Sequence, residues 1–131
     1  MLAPLGPLFA ARALEGPRHF RYRWRMFERF VYLKLKDEWA TDEGRALVVK
    51  ESARVLPAIK EVVACRAGVP ADAHAAKGWD LCLALRFESL ADIETYRVHP
   101  DHKAFLEDFL APKVEAKRVW NFEMQDLSSP T

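Results

Sequence analysis

The chain has 131 residues, of which 50% are hydrophobic and 30% are charged, and its formal net charge is +1. This length favours a single domain, and this composition is typical of a soluble globular protein. No apolar run approaches the roughly 18 residues that a membrane span needs, and the near-neutral charge does not favour a phosphate backbone, so neither a membrane nor a nucleic acid is predicted as a partner.

The first 25 residues differ from the rest in composition and charge. They hold three prolines, show no clear hydrophobic period and carry five arginines against one glutamate, whereas the remainder carries 15 basic and 18 acidic residues. A signal peptide is not favoured, because no basic region leads the segment and two prolines interrupt its apolar stretch. We predict a poorly ordered extension over residues 1–25, or a start codon placed upstream of Met26, followed by one domain over residues 26–131.

The first predicted strand covers residues 27–36, FERFVYLKLK, where aromatic and β-branched residues predominate. One face of this strand carries Arg29, Val31, Leu33 and Leu35. Phe30 and Tyr32 lie on the other face. A strand that is apolar on both faces must be covered on both sides.

A helix is predicted over residues 40–60, with Thr41 or Asp42 as its N-cap and with Pro57 ending it. A short strand follows at residues 62–68. Residues 69–78 are rich in Pro, Gly and Ala, which predicts a long hairpin loop with His74 in solvent.

Residues 79–88 alternate strictly between apolar and other positions and predict a third strand. Ser89 then caps a helix in a capping-box pattern with Asp92. His99 ends that helix, because the residue before a proline avoids the α region, and Pro100 suits the first position of a new helix. A final strand is predicted over residues 116–124.

The two cysteines, Cys65 and Cys82, are too few for a disulfide framework. Free thiols in a reducing cytoplasm are the simplest interpretation. If the hairpin loop is centred on residues 73 and 74, the two cysteines lie opposite each other on neighbouring strands.

The order of elements, β-α-β-β-α-β with a broken second helix, predicts a ferredoxin-like α+β fold with a four-stranded antiparallel sheet. Its helices cover one face of the sheet. The other face, which carries Phe30 and Tyr32, needs a cover, and a second copy of the chain in a homodimer is the simplest one.

No nucleotide-binding, nucleophile-elbow or zinc-protease motif occurs, so no cofactor is predicted. His99 and His102, with Asp101 between them, have a spacing that can suit a metal. A metal site is not predicted, because no convincing fourth ligand is present.

Four segments resemble the stress-responsive A/B barrel domain (Dabb) family: FVYLKLKDE, LPAIKEV, LRFESLADIETYRVHPDHKAF and the closing VWNFE. The resemblance extends from about Met26 to Glu123. It implies a dimeric α+β barrel in which two ferredoxin-like sheets pack face to face. Most of the family has no assigned reaction.

The polyketide-cyclase branch of that family uses a tyrosine and the second histidine of an H-P-x-H block as an acid/base pair. The resemblance therefore implies that Tyr96 and His102 are the catalytic residues here. Members often carry a histidine in the first strand, where this chain has Arg29. A guanidinium cannot act as a neutral imidazole does, but it can bind an anionic group such as a carboxylate. Arg29 and His99 are accordingly candidates for substrate binding, with His99 also a candidate helix cap.

The residues themselves support the pair, because Tyr96 and His102 both lie on the inward faces of their helices. His102 in a first helical turn is expected to stay neutral, as a general base must, and Tyr96 can donate to an enolate oxygen. Two functions remain open. One is an enzyme performing cyclisation, isomerisation or lyase chemistry on a small apolar, carbonyl-bearing ligand. The other is a non-catalytic stress or structural oligomer.

Overall fold

A four-stranded antiparallel sheet forms the centre of the domain in a computed structural model that describes residues 26–128. The predicted extension over residues 1–25 lies outside the described residues. The strands are β1 (Met26–Leu35), β2 (Ala64–Gly68), β3 (Leu81–Phe87) and β4 (Val114–Met124). Their order across the sheet is β2-β3-β1-β4, so β1 pairs with both β3 and β4. This confirms the predicted ferredoxin-like α+β fold.

The longer helical connections, from β1 to β2 and from β3 to β4, join strands that are not neighbours in the sheet, whereas β2 and β3 are neighbours. The helices are α1 (Asp42–Val55), α2 (Ala73–Gly78), α3 (Leu90–Arg97) and α4 (Pro100–Ala104), with 3₁₀ turns at Asp37–Trp39 and Leu56–Ala58 and a π-helical segment at Phe105–Leu110. Thr41 caps α1 by accepting a hydrogen bond from the Gly44 amide. Pro57 ends the regular helix as predicted, because its ring forces the chain into a 3₁₀ turn.

The two faces of the sheet carry different side chains. Leu33, Leu35, Leu85 and Phe87 face the helices and are fully buried. The opposite face, here called the open face, carries aromatic rings in edge contacts. Phe30 meets Phe122 with 5.9 Å between ring centroids, and Tyr32 meets Trp120 at 6.0 Å. Trp120 and Phe122 remain about half exposed in the single chain. This exposure agrees with the prediction that a second copy of the chain covers the open face.

The predicted pairing of Cys65 with Cys82 is wrong. Cys65 lies opposite Leu85, and Cys82 lies opposite Gly68, so the register is displaced by three residues. An odd displacement turns a side chain to the other face of a sheet. Cys65 therefore faces the helices and Cys82 lies on the open face, and both are free thiols.

The register differs because the hairpin connection is not the irregular loop that was predicted. It contains α2, whose first turn is capped by the Asp72 carboxylate accepting from the Ala75 amide. Alanines favour the helical conformation here. His74 lies in this helix and is exposed to solvent.

Asp80 fixes the end of the sheet to α1 although it is only 1% exposed. Its carboxylate accepts from the Leu35 amide at 2.7 Å and from the Arg45 guanidinium at 2.9 Å. The Lys34 ammonium lies 3.6 Å away. One buried charge thus joins β1, α1 and the start of β3.

Replacing Asp80 by alanine is expected to lower the free energy of unfolding by about 3–5 kcal/mol, because it leaves a buried amide and a half-buried guanidinium unpaired. Urea unfolding of the two proteins measures the difference. Asp37→Ala is the matched control, since this exposed aspartate should change stability by less than about 0.5 kcal/mol. Equal effects of the two substitutions would contradict the structural role of Asp80.

Candidate active site

A cavity of about 340 Å³ lies between the helix-covered face of the sheet and the segment from α3 to β4. Its walls are mainly aliphatic and aromatic. They include Val31, Leu83, Leu85, Phe105, Leu106 and Leu110. The polar groups that reach it are Arg29, Tyr96, His102, Glu115 and Lys117. An apolar chamber with a few convergent polar groups is the usual form of a small-molecule site, and this volume is at the lower end of the range.

The break between α3 and α4 brings Tyr96 and His102 to this cavity. His99 has an extended backbone, its Nδ1 accepts from the Asp101 amide at 3.1 Å, and Pro100 takes the first position of α4. In a continuous helix the Arg97 carbonyl would accept from the Asp101 amide. Here that amide is bonded to His99, and the Arg97 carbonyl accepts from His102 Nδ1 at 3.1 Å instead.

Tyr96 and His102 are in direct contact. Their ring centroids lie 4.2 Å apart with an interplanar angle of 36°. Tyr96 also packs edge-on against Phe87 at 5.1 Å. Tyr96 is 2% exposed and His102 is 6% exposed, and both line the cavity.

His102 is held in the form that a general base needs. Burial lowers its pKa, and the positive charges of Arg29, Lys117 and Arg97 lower it further, against the opposing effect of the hydrogen bond to the Arg97 carbonyl. A carbonyl oxygen only accepts, so Nδ1 carries the proton in the neutral ring. The lone pair is then on Nε2, which has no hydrogen-bond partner within residues 26–128.

Tyr96 is held in the form that donates a proton. Burial raises the pKa of its phenol well above the ordinary value, and the charge of Arg29 only partly offsets this effect. Its hydroxyl makes no hydrogen bond to any residue that the structure describes. A protonated phenol and a neutral imidazole therefore stand side by side, each with an unused polar atom.

Arg29 reaches the same cavity from β1. One of its terminal nitrogens donates to the Asn121 side-chain carbonyl at 3.0 Å. Burial lowers its pKa, but a guanidinium stays charged at any physiological pH. Arg29 thus supplies a fixed positive charge beside Tyr96 and His102.

His99, the other candidate for substrate binding, does not line the cavity. Its ring is engaged in capping α4, so the structure brings together three of the four residues singled out from the sequence. Sequence reasoning missed Glu115 and Lys117, which are exposed residues of β4. Lys117 could have been predicted from the alternation of β4. Lys117, Val119 and Asn121 share one face of this strand, and Trp120 and Phe122 lie on the other.

Within residues 26–128, no group of three or more His, Cys, Asp or Glu side chains is arranged to hold a metal ion. The described helices are also all too short or too polar to cross a bilayer.

The fold and the cavity together define a ferredoxin-like α+β domain with a mainly apolar cavity between its sheet and helices. The model of the stress responsive A/B barrel domain matches residues 27–124. The chain belongs to this family, which confirms the resemblance seen in its sequence. None of the curated proteins compared with the chain matches it.

Solved structures share the fold. A Dabb family protein from Mesorhizobium loti has a TM-score of 0.64 at 22% identity, over 75% of this chain and 95% of that one. A dimeric ferredoxin-like protein from Bacteroides fragilis has a TM-score of 0.60 at 26% identity, over 76% and 96%. The hydroxynitrile lyase from Passiflora edulis has a TM-score of 0.64 at 15% identity, over 77% and 94%.

The lowered pKa of His102 predicts a stability difference that depends on pH. The folded state binds this proton less tightly than the unfolded state, so the stability associated with His102 is complete above the ordinary histidine pKa of about 6.5 and decreases as the pH falls below it. His102→Gln should be less stable than the parent at neutral pH, and this difference should narrow in acid. Urea unfolding across that range measures it.

The control for this experiment is His74→Gln, because His74 is exposed on α2. This exposed substitution should change the free energy of unfolding by less than about 0.5 kcal/mol. A gap between the parent and His102→Gln that widens in acid would contradict the assignment of a buried neutral imidazole.

Proposed function

We propose that this protein is a small-molecule enzyme that moves a proton on an apolar, carbonyl-bearing substrate held in the cavity. The observation that carries the proposal is the contact between a neutral imidazole and a protonated phenol, with 4.2 Å between ring centroids, in a chamber with apolar walls. General acid–base catalysis needs groups with these protonation states within reach of one ligand.

The chemistry follows from the unused atoms. His102 Nε2 accepts the proton of a carbon next to the substrate carbonyl, and the electron pair of the broken C–H bond moves onto the carbonyl oxygen. The Tyr96 hydroxyl donates a hydrogen bond to that oxygen as its charge develops. Return of the proton from His102 to another atom of the substrate completes an isomerisation. In a cyclisation the carbanion attacks a second carbonyl carbon, the electron pair of that C=O bond moves to its oxygen, and the proton on His102 passes to this new alkoxide. Arg29 orients the substrate, and His99 contributes by holding α4 in place.

The Passiflora edulis protein supports this proposal only at the level of the fold, since a hydroxynitrile lyase shows that this architecture can carry an enzyme. The second candidate function is a non-catalytic stress or structural oligomer. It is favoured by the close packing of Tyr96 against Phe87, which is also how a purely structural core residue behaves. Retention of a metabolite in native mass spectrometry of freshly purified protein would favour the enzyme.

We also propose that two copies of the chain pair through the open face as a cytoplasmic homodimer. Trp120 and Phe122 are 48% and 53% exposed in the single chain, and both belong to a cluster of aromatic rings on a regular strand. A contiguous exposed apolar surface of this kind is typical of an interface. Neighbours with this fold are dimeric, and the two free thiols suit a reducing compartment.

The acid–base proposal predicts that the protein accelerates exchange of the acidic C–H protons of a neutral β-keto ester, such as ethyl butyrylacetate, with deuterium from the solvent. His102→Ala and Tyr96→Phe should each reduce the rate above the buffer background by about 100-fold or more, as removal of a general acid or base does. Proton NMR in deuterated buffer follows the exchange. His74→Gln should retain the parent rate, and parent-like rates in both site variants would refute the proposal.

The homodimer predicts a sedimenting mass of about 30 kDa, twice the 15.0 kDa chain. Trp120→Asp should shift the protein towards the monomer, because it places a charge in an apolar interface. Leu47→Asp is the control, since Leu47 is a similarly exposed leucine on α1, away from the open face. A parent protein that sediments as a monomer at micromolar concentration would rule out this assembly.

A further inference from the structure

Arg29 differs from the other partly buried arginines in making no ion pair with any residue that the structure describes, although the more distant charge of Glu94 acts on it. Arg45 pairs with Asp80 and Arg86 pairs with Glu28. Arg29 has a single hydrogen bond among residues 26–128, to the neutral Asn121 side chain. Removing a guanidinium from water without a close counter-ion is costly, so an anion bound at Arg29 would lower this cost.

The hydrogen bond to Asn121 uses only one edge of the guanidinium. It involves one terminal nitrogen, Nη1, and leaves Nε and Nη2 without a partner in the described chain. Those two nitrogens form the fork that binds both oxygens of a carboxylate. Asn121, opposite Arg29 in the pairing of β1 with β4, fixes the direction of the guanidinium and is a positioning residue.

The charges around the cavity also favour an anionic ligand. Arg29 and Lys117 are cationic, Glu115 is the one acidic side chain among the described residues that line the cavity, and Tyr96 and His102 are neutral. Glu115 and Lys117 are exposed, whereas Arg29 is half-buried and faces the same chamber as the Tyr96 and His102 rings. An anion is therefore drawn past Lys117 towards Arg29.

The remaining walls of the cavity are apolar, so the rest of the ligand is expected to be apolar as well. We propose that the cavity takes a small carboxylate with an apolar body, whose two oxygens bind the free edge of Arg29 and whose neighbouring carbonyl lies at Tyr96 and His102. This inference rests on the proposed function for the carbonyl, but the carboxylate specificity rests on Arg29 alone. A β-keto carboxylate is the simplest compound of this class, with one carbon between its carboxylate and its ketone.

The test compares two probes that differ only in charge, octanoate and octanamide, in calorimetric titrations of the full-length protein at neutral pH. The parent should bind octanoate at least about 10-fold more tightly than octanamide, as expected for a hydrogen-bonded charge pair. Arg29→Gln should abolish this preference and leave octanamide binding unchanged. Arg29→Lys, which keeps the charge but not the fork, should retain only part of it.

Two further variants locate the effect. Lys117→Gln should weaken octanoate binding by less than about threefold, because an exposed charge is screened by water and salt. His74→Gln should keep the preference, since His74 is exposed on α2 and does not line the cavity. Circular dichroism and sedimentation of each variant confirm that it is folded.

Equal affinity of the parent for the two probes, or no binding of either, overturns the inference. A preference that survives Arg29→Gln but disappears in Lys117→Gln also overturns it, because the anion then binds at the mouth of the cavity. The acid–base proposal is tested separately with a neutral ester. Exchange without a charge preference therefore refutes only the carboxylate inference, and a charge preference without exchange refutes only the acid–base chemistry.

Discussion

The hydrogen bond from His102 Nδ1 to the Arg97 carbonyl is the interaction on which the site depends. It exists because Pro100 interrupts the helix and His99 takes the amide that would otherwise satisfy that carbonyl. The same bond ends α3, orients the imidazole and determines which ring nitrogen carries the proton. Backbone geometry and the tautomer of the imidazole are thus set by one contact, and the aromatic packing of Tyr96 against Phe87 places the phenol beside it.

The parts of the fold that could be predicted from sequence are those set by local pattern. The alternation in β1 and β3 correctly separated the two faces of the sheet, and the Ser89 and His99 caps located the helix starts. The register of the β2–β3 hairpin could not be predicted in the same way, because it depends on the three-dimensional length of α2. Counting residues across a connection works for a tight turn but not for one that contains a helix.

The candidate site could be predicted from the sequence only in part, for a related reason. Tyr96, His102 and Arg29 could be identified because they lie in recognisable positions of the chain, and the structure brings all three to one cavity. Glu115 and Lys117 lie on β4, and they reach the same cavity as Arg29 of β1 only through the pairing of these two strands. The sequence also could not predict that Nε and Nη2 of Arg29 lack a partner among the described residues, because this depends on the three-dimensional positions of all neighbouring side chains.

The π-helical segment at Phe105–Leu110 forms one wall of the cavity, and the Ala111 amide donates to the Leu106 carbonyl five residues earlier. Such a turn holds one residue more than an α-turn in the same hydrogen-bonded ring. Its outward side carries Glu107 and Asp108, which are exposed. Loss of a single residue here would convert the π-helical turn into an α-helical turn and so reshape this wall of the cavity, without altering the H-P-x-H block or the sheet. Insertions and deletions in this short stretch are therefore an economical evolutionary route by which proteins of this architecture can change the depth of their chamber.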